Sequence, residues 1–149
     1  MVKQIFIFFL CAAVAGTAGC SKLPKRPKGM PELVPCTVSV SFGGEKLPGV
    51  GVQLIPKNQS ENPWIAGGKT DADGKTVLKT ALYYNGAVPG EYLILFEKYD
   101  NPKTDKSGNL MPSEPLIPVK YSRQKTAQTV SITKGKLDYE FQLDGLTKK

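Results

Sequence analysis

The chain has 149 residues, of which 20 are Lys or Arg and 13 are Asp or Glu, and its formal net charge is +7. It contains no histidine, which excludes Ser-His-Asp and Cys-His catalytic arrangements and removes the commonest general base and metal ligand of proteins. The length is sufficient for one domain with a modest core and too short for two.

The first twenty residues predict an export signal. Lys3 precedes an apolar run at residues 5–15, and residues 17–20, Thr-Ala-Gly-Cys, place small side chains directly before a cysteine. The pattern resembles a bacterial lipoprotein signal peptide, spanning residues 1–19 and cleaved between Gly19 and Cys20. The resemblance implies that Cys20 carries a diacylglycerol and an N-acyl chain. A transmembrane span needs roughly 20 apolar residues, about twice the length of this run.

This resemblance implies an extracytoplasmic protein, anchored by lipid to a bacterial membrane. Ser21 follows the cysteine where an aspartate would retain the protein at the inner membrane, and this favours the outer membrane. The alternative is an ordinary secretory signal cut near Ala18, which would leave Cys20 as an unmodified thiol.

Most of the excess positive charge lies just after Cys20. From Gly29 onward there are fifteen basic and thirteen acidic residues, which leaves a net charge of only +2. We therefore predict that residues 20–33 form a flexible basic tether, and we do not expect nucleic-acid binding. Each basic side chain in the tether would be attracted to anionic headgroups by about 1 kcal/mol; the alternative is a solvated spacer. The basic residues of this segment are Lys22, Lys25, Arg26 and Lys28.

Residues 34–146 have the two-residue period of β-strands and are predicted to form one domain. The first strand covers residues 36–42, and the second covers residues 50–54 and ends at Pro56. Cys11 belongs to the signal and Cys20 to the anchor, so Cys36 has no intramolecular disulfide partner. We expect Cys36 to be a small buried residue of the first strand, and the alternative is a reactive or intermolecular thiol.

Further strands follow a polar loop at residues 57–68. Residues 70–75, Thr-Asp-Ala-Asp-Gly-Lys, predict a hairpin turn leading into a strand at residues 75–82. Residues 92–96 are apolar on both faces and are predicted to lie centrally in a sheet. Four prolines interrupt residues 99–128, which are predicted to be a long loop, and residues 129–133 and 137–143 are predicted to pair as a closing hairpin.

Seven short strands without an amphipathic helix predict an all-β fold, a seven-stranded antiparallel β-sandwich. Three segments, at residues 44–52, 70–75 and 88–92, resemble the opening strand, the Asp-rich hairpin and the Pro-Gly corner of the carboxypeptidase regulatory-like, transthyretin-like domain. The resemblance covers about residues 34–98. It implies the fold more than a function.

Candidate catalytic and metal-binding residues are few. Asp71 and Asp73 with Gly74 resemble part of a calcium loop, but Leu82 occupies the twelfth position, where such a loop needs a bidentate glutamate. They are therefore weak metal candidates. One transthyretin-like relative is hydroxyisourate hydrolase, whose site uses histidines and a C-terminal Tyr-Arg-Gly-Ser, and this chain has neither. We expect no enzymatic activity and no cofactor other than the lipid on Cys20.

Three aromatic residues are candidate ligand contacts. Trp64 lies in a loop beside Pro63, and Tyr99 and Tyr121 fall within or beside the long 99–128 loop. We expect the chain to be a lipid-anchored, non-catalytic envelope module with a structural or protein-interaction role. The alternative is a carbohydrate-binding or adhesive module that uses Trp64 and the 99–128 loop.

Overall fold

Two β-sheets pack face to face in this computed structural model, which describes residues 24–144. The described residues contain ten strands and two short 3₁₀-helices, at Val119–Tyr121 and Gln124–Thr126. The strands are β1 Thr37–Phe42, β2 Glu45–Lys46, β3 Gly51–Pro56, β4 Ala66–Lys69, β5 Lys75–Val77, β6 Lys79–Thr80, β7 Tyr84–Asn85, β8 Gly90–Glu97, β9 Gln128–Ile132 and β10 Asp138–Leu143.

The smaller sheet is centred on β1. Strand β10 runs parallel to β1 along its whole length, from the pair Thr37 and Asp138 to the pair Phe42 and Leu143. On the other side of β1, β5 pairs antiparallel with its first half and β2 with its last two residues. The backbone groups of β1 are thus satisfied on both sides, as a buried strand requires.

The larger sheet has the strand order β7-β6-β4-β3-β8-β9, and each neighbouring pair is antiparallel. The register of β3 and β8 identifies the two ends of this sheet. Gly51 pairs with Glu97 at one end, and Pro56 pairs with Tyr92 towards the other. Strand β8 has a partner on each side, β3 and β9, in agreement with its apolar character on both faces.

The core lies between the sheets and consists of alternate side chains of their longest strands. Val38 and Val40 of β1 face inward, and Ile94 and Phe96 of β8 face them from the larger sheet, all almost fully buried. The Phe96 ring also lies against Phe141 of β10, with the ring centroids 5.3 Å apart. The all-β, two-sheet architecture predicted from the alternating pattern is therefore confirmed.

Several strand boundaries and pairings differ from the prediction. The described residues contain ten strands rather than seven, and the β1–β10 pair is parallel rather than antiparallel. The predicted closing hairpin was wrong: β9 pairs with β8 in the larger sheet, while β10 pairs with β1 in the smaller one. The turn between them crosses from one sheet to the other, and Ile132 of β9 and Tyr139 and Leu143 of β10 are buried in the core between the sheets.

The strand predicted at residues 75–82 is divided at Leu78. Its first part is β5 of the smaller sheet and its second part is β6 of the larger sheet. The backbone N–H of Leu78 donates to the Cys36 carbonyl at 2.9 Å, and its carbonyl accepts from the Gly86 N–H at 2.7 Å. Leu78 is fully buried at this crossing. Strand β4 was not predicted, because two of its four residues are glycines.

We expect Gly86→Ala to lower the free energy of unfolding by about 2 kcal/mol or more. Gly86 has φ +105°, and a Cβ there would lie 2.3 Å from the carbonyl oxygen of Val34. Gly108→Ala is the matched control, since Gly108 has φ +86° and no atom within 4 Å of the added Cβ. The control should lose only about 1 kcal/mol from the backbone conformation. Urea unfolding of both variants measures the difference, and equal losses would contradict the steric explanation.

Candidate functional site

The first described residues lie against the hairpin formed by β6 and β7. The Tyr84 hydroxyl donates a hydrogen bond to the carbonyl of Pro24. Further along, Val34 and Ala87 exchange two backbone hydrogen bonds, of 2.9 and 3.0 Å. Cys20, the predicted lipidation site, lies outside the described residues, but it precedes Pro24 by only four positions in the sequence.

Part of the predicted tether packs on the domain. Met30 is buried, although it lies within the segment 20–33 that we predicted to be flexible. The Arg26 guanidinium donates to the Pro31 carbonyl, and Arg26 lines a shallow cleft of about 320 Å³ together with Tyr83. The chain thus leaves the domain beside the β6–β7 hairpin. Gly19, the other residue of the predicted cleavage site, also lies outside the described residues.

The turn of this hairpin, residues 81–83, has an unusual backbone. Ala81 has φ +49° and Leu82 has φ +69°, the only left-handed residues other than glycine among residues 24–144. The Leu82 side chain is 80% exposed and that of Tyr83 is 52% exposed. The buried Thr80 hydroxyl donates to the Gly86 carbonyl at 2.8 Å and fastens the base of the hairpin. The turn therefore presents two apolar side chains to the outside from a fixed base.

A groove runs along the outer face of the larger sheet next to this turn. It has a volume of about 420 Å³, with Leu95 lining it and Ile65 and Leu82 contributing exposed apolar side chains. Gly51 and Gly67 also line the groove, where their missing side chains leave the sheet surface open. The groove and the turn together form a mainly apolar surface on one side of the domain. We refer to Ile65, Leu82 and Tyr83 as the turn surface.

The strand register places the turn surface at one end of the larger sheet. Thr80 pairs with Tyr84 and with Ala66, and the turn continues towards the end where β8 begins. The segment between β8 and β9, residues 98–127, leaves from the opposite end, after Glu97. The two most exposed leucines in the described part of the chain, Leu82 and Leu110, therefore belong to connections at opposite ends.

Trp64 is half-buried in the connection between β3 and β4. Its backbone N–H donates to the Asn62 side-chain oxygen at 3.1 Å. The Asn62 amide in turn donates to the Tyr92 hydroxyl at 2.8 Å, and that hydroxyl donates to the Val88 carbonyl at 2.7 Å. These bonds fasten the Trp64 loop to the core at the end of the sheet where β8 begins.

Tyr99 and Tyr121 do not join Trp64 in one surface. Tyr99 is half-exposed and follows β8 at the opposite end, where its backbone is bridged to Pro115. Tyr121 is buried, and its ring packs edge-on against Phe96 with the centroids 6.4 Å apart. The three candidate ligand contacts are thus separated, and two short 3₁₀-helices and two backbone bridges give structure to the 99–128 loop.

Tyr121 holds the end of β10 in place. Its hydroxyl donates to the Asp144 carboxylate and accepts from the Asp144 backbone N–H at 2.9 Å. Lys120 also reaches the Asp144 carboxylate, at 2.6 Å. The hydrogen bonds from Lys120 and Tyr121 lower the pKa of Asp144 from its ordinary value. The sequence offered no signal for this contact, which joins residues 23 positions apart in the chain.

Asp71 and Asp73 act as turn residues. The Asp71 carboxylate accepts the backbone N–H groups of Asp73 and Lys75, at 2.8 and 3.0 Å. Asp73 pairs with Lys46 at 2.5 Å, and this interaction lowers the pKa of Asp73. Within residues 24–144 there is no group of three or more Cys, Asp or Glu side chains positioned to hold a metal ion.

No protein-family model, curated protein or solved structure gives a significant match to this chain. In the described part of the chain, no helix combines the length and apolar character that a membrane crossing requires.

We expect Leu82→Asn to raise the free energy of unfolding by about 1 kcal/mol, because asparagine adopts the left-handed conformation at less cost than leucine. The mostly exposed Leu82 side chain gives up little burial in exchange. Leu110→Asn is the matched control, since Leu110 is 77% exposed and has no positive φ. Urea unfolding should show a gain for the first variant alone. A loss of stability in Leu82→Asn would show that the leucine packs in the domain.

We expect the Cys36 thiol to be unreactive in the folded protein. Its side chain is fully buried, and burial, with a smaller effect of the Asp138 charge, raises the thiol pKa to about 11. The reactive thiolate is therefore scarce at pH 8. In a chain starting at residue 21, where Cys36 is the only cysteine, a disulfide reagent should react rapidly only after urea is added. Rapid reaction without urea, or a disulfide-linked dimer, would contradict burial.

Proposed function

We propose that this protein is a lipid-anchored, extracytoplasmic and non-catalytic β-sandwich module with a structural or protein-interaction role in the cell envelope. The observation that carries the proposal is the sequence order at residues 3–20, which ends in a cysteine directly before a β-domain. The described domain begins four residues after that cysteine, so a lipid on Cys20 would hold the sandwich close to the membrane.

Anchoring would use the hydrophobic effect. Each methylene group buried in the bilayer contributes about 0.8 kcal/mol, so three acyl chains on Cys20 would hold the protein far more firmly than one. The Cys20 lipid would be the only non-protein group required. Ser21 favours an outer membrane as the site of anchoring.

A non-catalytic role is supported by the lack of histidine, and three aspartates have structural contacts. Asp73, Asp105 and Asp144 have lowered pKa values, since each carboxylate accepts hydrogen bonds from a lysine, a tyrosine or turn groups. These carboxylates serve to close turns and to fasten strand ends.

The finer assignment, to the carboxypeptidase regulatory-like, transthyretin-like fold, is part of the proposal. It is supported by the geometry of the Asp-rich turn that carries the resemblance. Gly74 has φ +69°, and a Cβ at this position would lie 2.7 Å from the Val40 carbonyl oxygen. The glycine of the motif is therefore required where β1 passes the turn.

We favour a protein partner over a glycan. A glycan site built on Trp64 and the 99–128 loop would need their rings on one surface, whereas Tyr99 follows the far end of β8 and Tyr121 packs in the core. Two exposed surfaces with apolar character are the turn surface and, in the connection between β8 and β9, Leu110 with Met111.

Lipid anchoring is tested by mass spectrometry of the N-terminal peptide and by fractionation of cells. We expect Cys20 to carry the lipid, and we expect Cys20→Ser to remove the mature protein from the membrane fraction. Cys36→Ser is the control and should remain in the membrane fraction. An unmodified Cys20 in the wild-type protein would overturn the proposal. Crosslinking in the intact envelope, followed by mass spectrometry, then identifies the partner.

A further inference from the structure

The position of Pro24 limits how far the lipid anchor can lie from the β6–β7 hairpin. Pro24 is held against Tyr84 by the hydroxyl-to-carbonyl hydrogen bond, and Tyr84 directly follows the exposed turn. Four residues of fully extended chain reach at most about 14 Å. The backbone of Cys20 must therefore lie within this distance of Pro24, whatever path the intervening residues take.

We infer that the turn at residues 81–83 is a second membrane contact, in which Leu82 and Tyr83 enter the lipid headgroup region and orient the sandwich on the bilayer. This inference rests on the proposed lipid anchor at Cys20. It adds a specific contact and a specific orientation to that anchor: the end of the larger sheet where β8 begins faces the membrane.

The side chains of the turn surface suit the interface of a bilayer. Leu82 is the most exposed large apolar residue of the described chain, and Ile65 is 44% exposed beside it. Tyr83 combines an apolar ring with a hydroxyl, the combination that is enriched at the depth of lipid headgroups. Leucine at φ +69° is conformationally unfavourable, and its side chain is exposed rather than packed in the core.

The charges near the turn favour an anionic surface. Lys25, Arg26 and Lys28 are exposed in the segment that packs beside the hairpin, and Lys79 of β6 is exposed at the groove. Glu32, the acidic residue of this segment, is paired with Lys134 at 3.0 Å. At the end of the sheet where β8 begins, Glu91 is paired with Lys57 at 3.2 Å, and Glu61 is exposed, so basic residues remain in excess at this end. Basic residues close to a membrane contribute about 1 kcal/mol each to binding anionic lipids. The attraction of the basic segment to anionic lipids and the insertion of the turn would bring the same end of the domain to the membrane.

The orientation leaves the opposite end of the domain available to partners. The segment between β8 and β9, residues 98–127, starts after Glu97, at the end of the larger sheet away from the turn. It carries the exposed Leu110 and Met111. With the turn on the bilayer, this segment would point away from the membrane. The bilayer is therefore the occupant we assign to the turn surface, and a protein partner would use the far end.

The inference can be tested by measuring the depth of a fluorescent label in the acylated protein. Leu82→Cys and Leu110→Cys, each in a Cys36→Ser background, are labelled with a nitrobenzoxadiazole maleimide after purification from membranes. Each is reconstituted in vesicles of neutral and anionic phospholipid that contain nitroxide-labelled acyl chains. The two positions are matched, since the leucines are 80% and 77% exposed. Tyr83→Cys provides a second reporting position in the turn, and mass spectrometry of each sample establishes whether Cys20 is acylated.

We expect the label at positions 82 and 83 to show blue-shifted emission and severalfold stronger quenching by the nitroxide lipids than the label at position 110. Equal quenching at all three positions, with Cys20 acylated, would overturn the membrane contact and leave the anchor intact. A blue shift without quenching would mean that protein covers the turn, and would also overturn it. A Cys20 without lipid would overturn both the anchor and the contact.

Discussion

The fold depends on the packing of one face of β1 against the inner face of β8. Val38 and Val40 from the smaller sheet and Ile94 and Phe96 from the larger sheet are almost completely removed from solvent. Burying a side chain of this size contributes about 1.5–3 kcal/mol, so these few residues supply much of the free energy that holds the sheets together. Strands β2, β5 and β10 pair with β1, and β3 and β9 pair with β8. Strands β4, β6 and β7 continue the larger sheet beyond β3.

Because the core lies between two sheets, the chain must change sheet several times, and these crossings determine where the exposed features lie. At Leu78 the chain passes from β5 to β6, and the short β6–β7 hairpin then returns it to the core at Ala87. The hairpin is closed by the Thr80 hydroxyl and the Gly86 carbonyl, and Gly86 has no space for a side chain beside Val34. This closed base leaves Leu82 and Tyr83 exposed at the tip of the hairpin.

The parts of the fold that could be predicted from sequence are those set by local periodicity. Alternating residues located β1, a continuous apolar run located β8, and Asp71 with Gly74 located a turn whose hydrogen bonds are local. Pairings between strands that are far apart in the sequence leave no such local pattern. The parallel β1–β10 pair depends on how β9 and β10 divide between the sheets, and the burial of Tyr121 depends on Asp144.

The turn at residues 81–83 could not be predicted from the sequence, for a related reason. Leucine and alanine rarely adopt positive φ, so Ala81 and Leu82 were predicted to be the last residues of the strand at residues 75–82. What sequence did supply was the position of Cys20. Its relation to the turn became visible only when the structure joined Pro24 to Tyr84, 60 residues further along the chain.

Neither the positive φ of Leu82 nor the exposure of its side chain would assign a function alone. Single strained residues occur in proteins that are less stable than they could be, and exposed leucines occur on many surfaces. Here the strained residue is also the most exposed apolar one of the described residues, and the hairpin that carries it contacts Pro24, four positions after the cysteine. If that cysteine is lipidated, the tether is too short to hold the turn far from the bilayer. A lone lipid anchor leaves a domain free to rotate above the membrane, whereas a second contact beside it fixes which end of the sandwich faces outward.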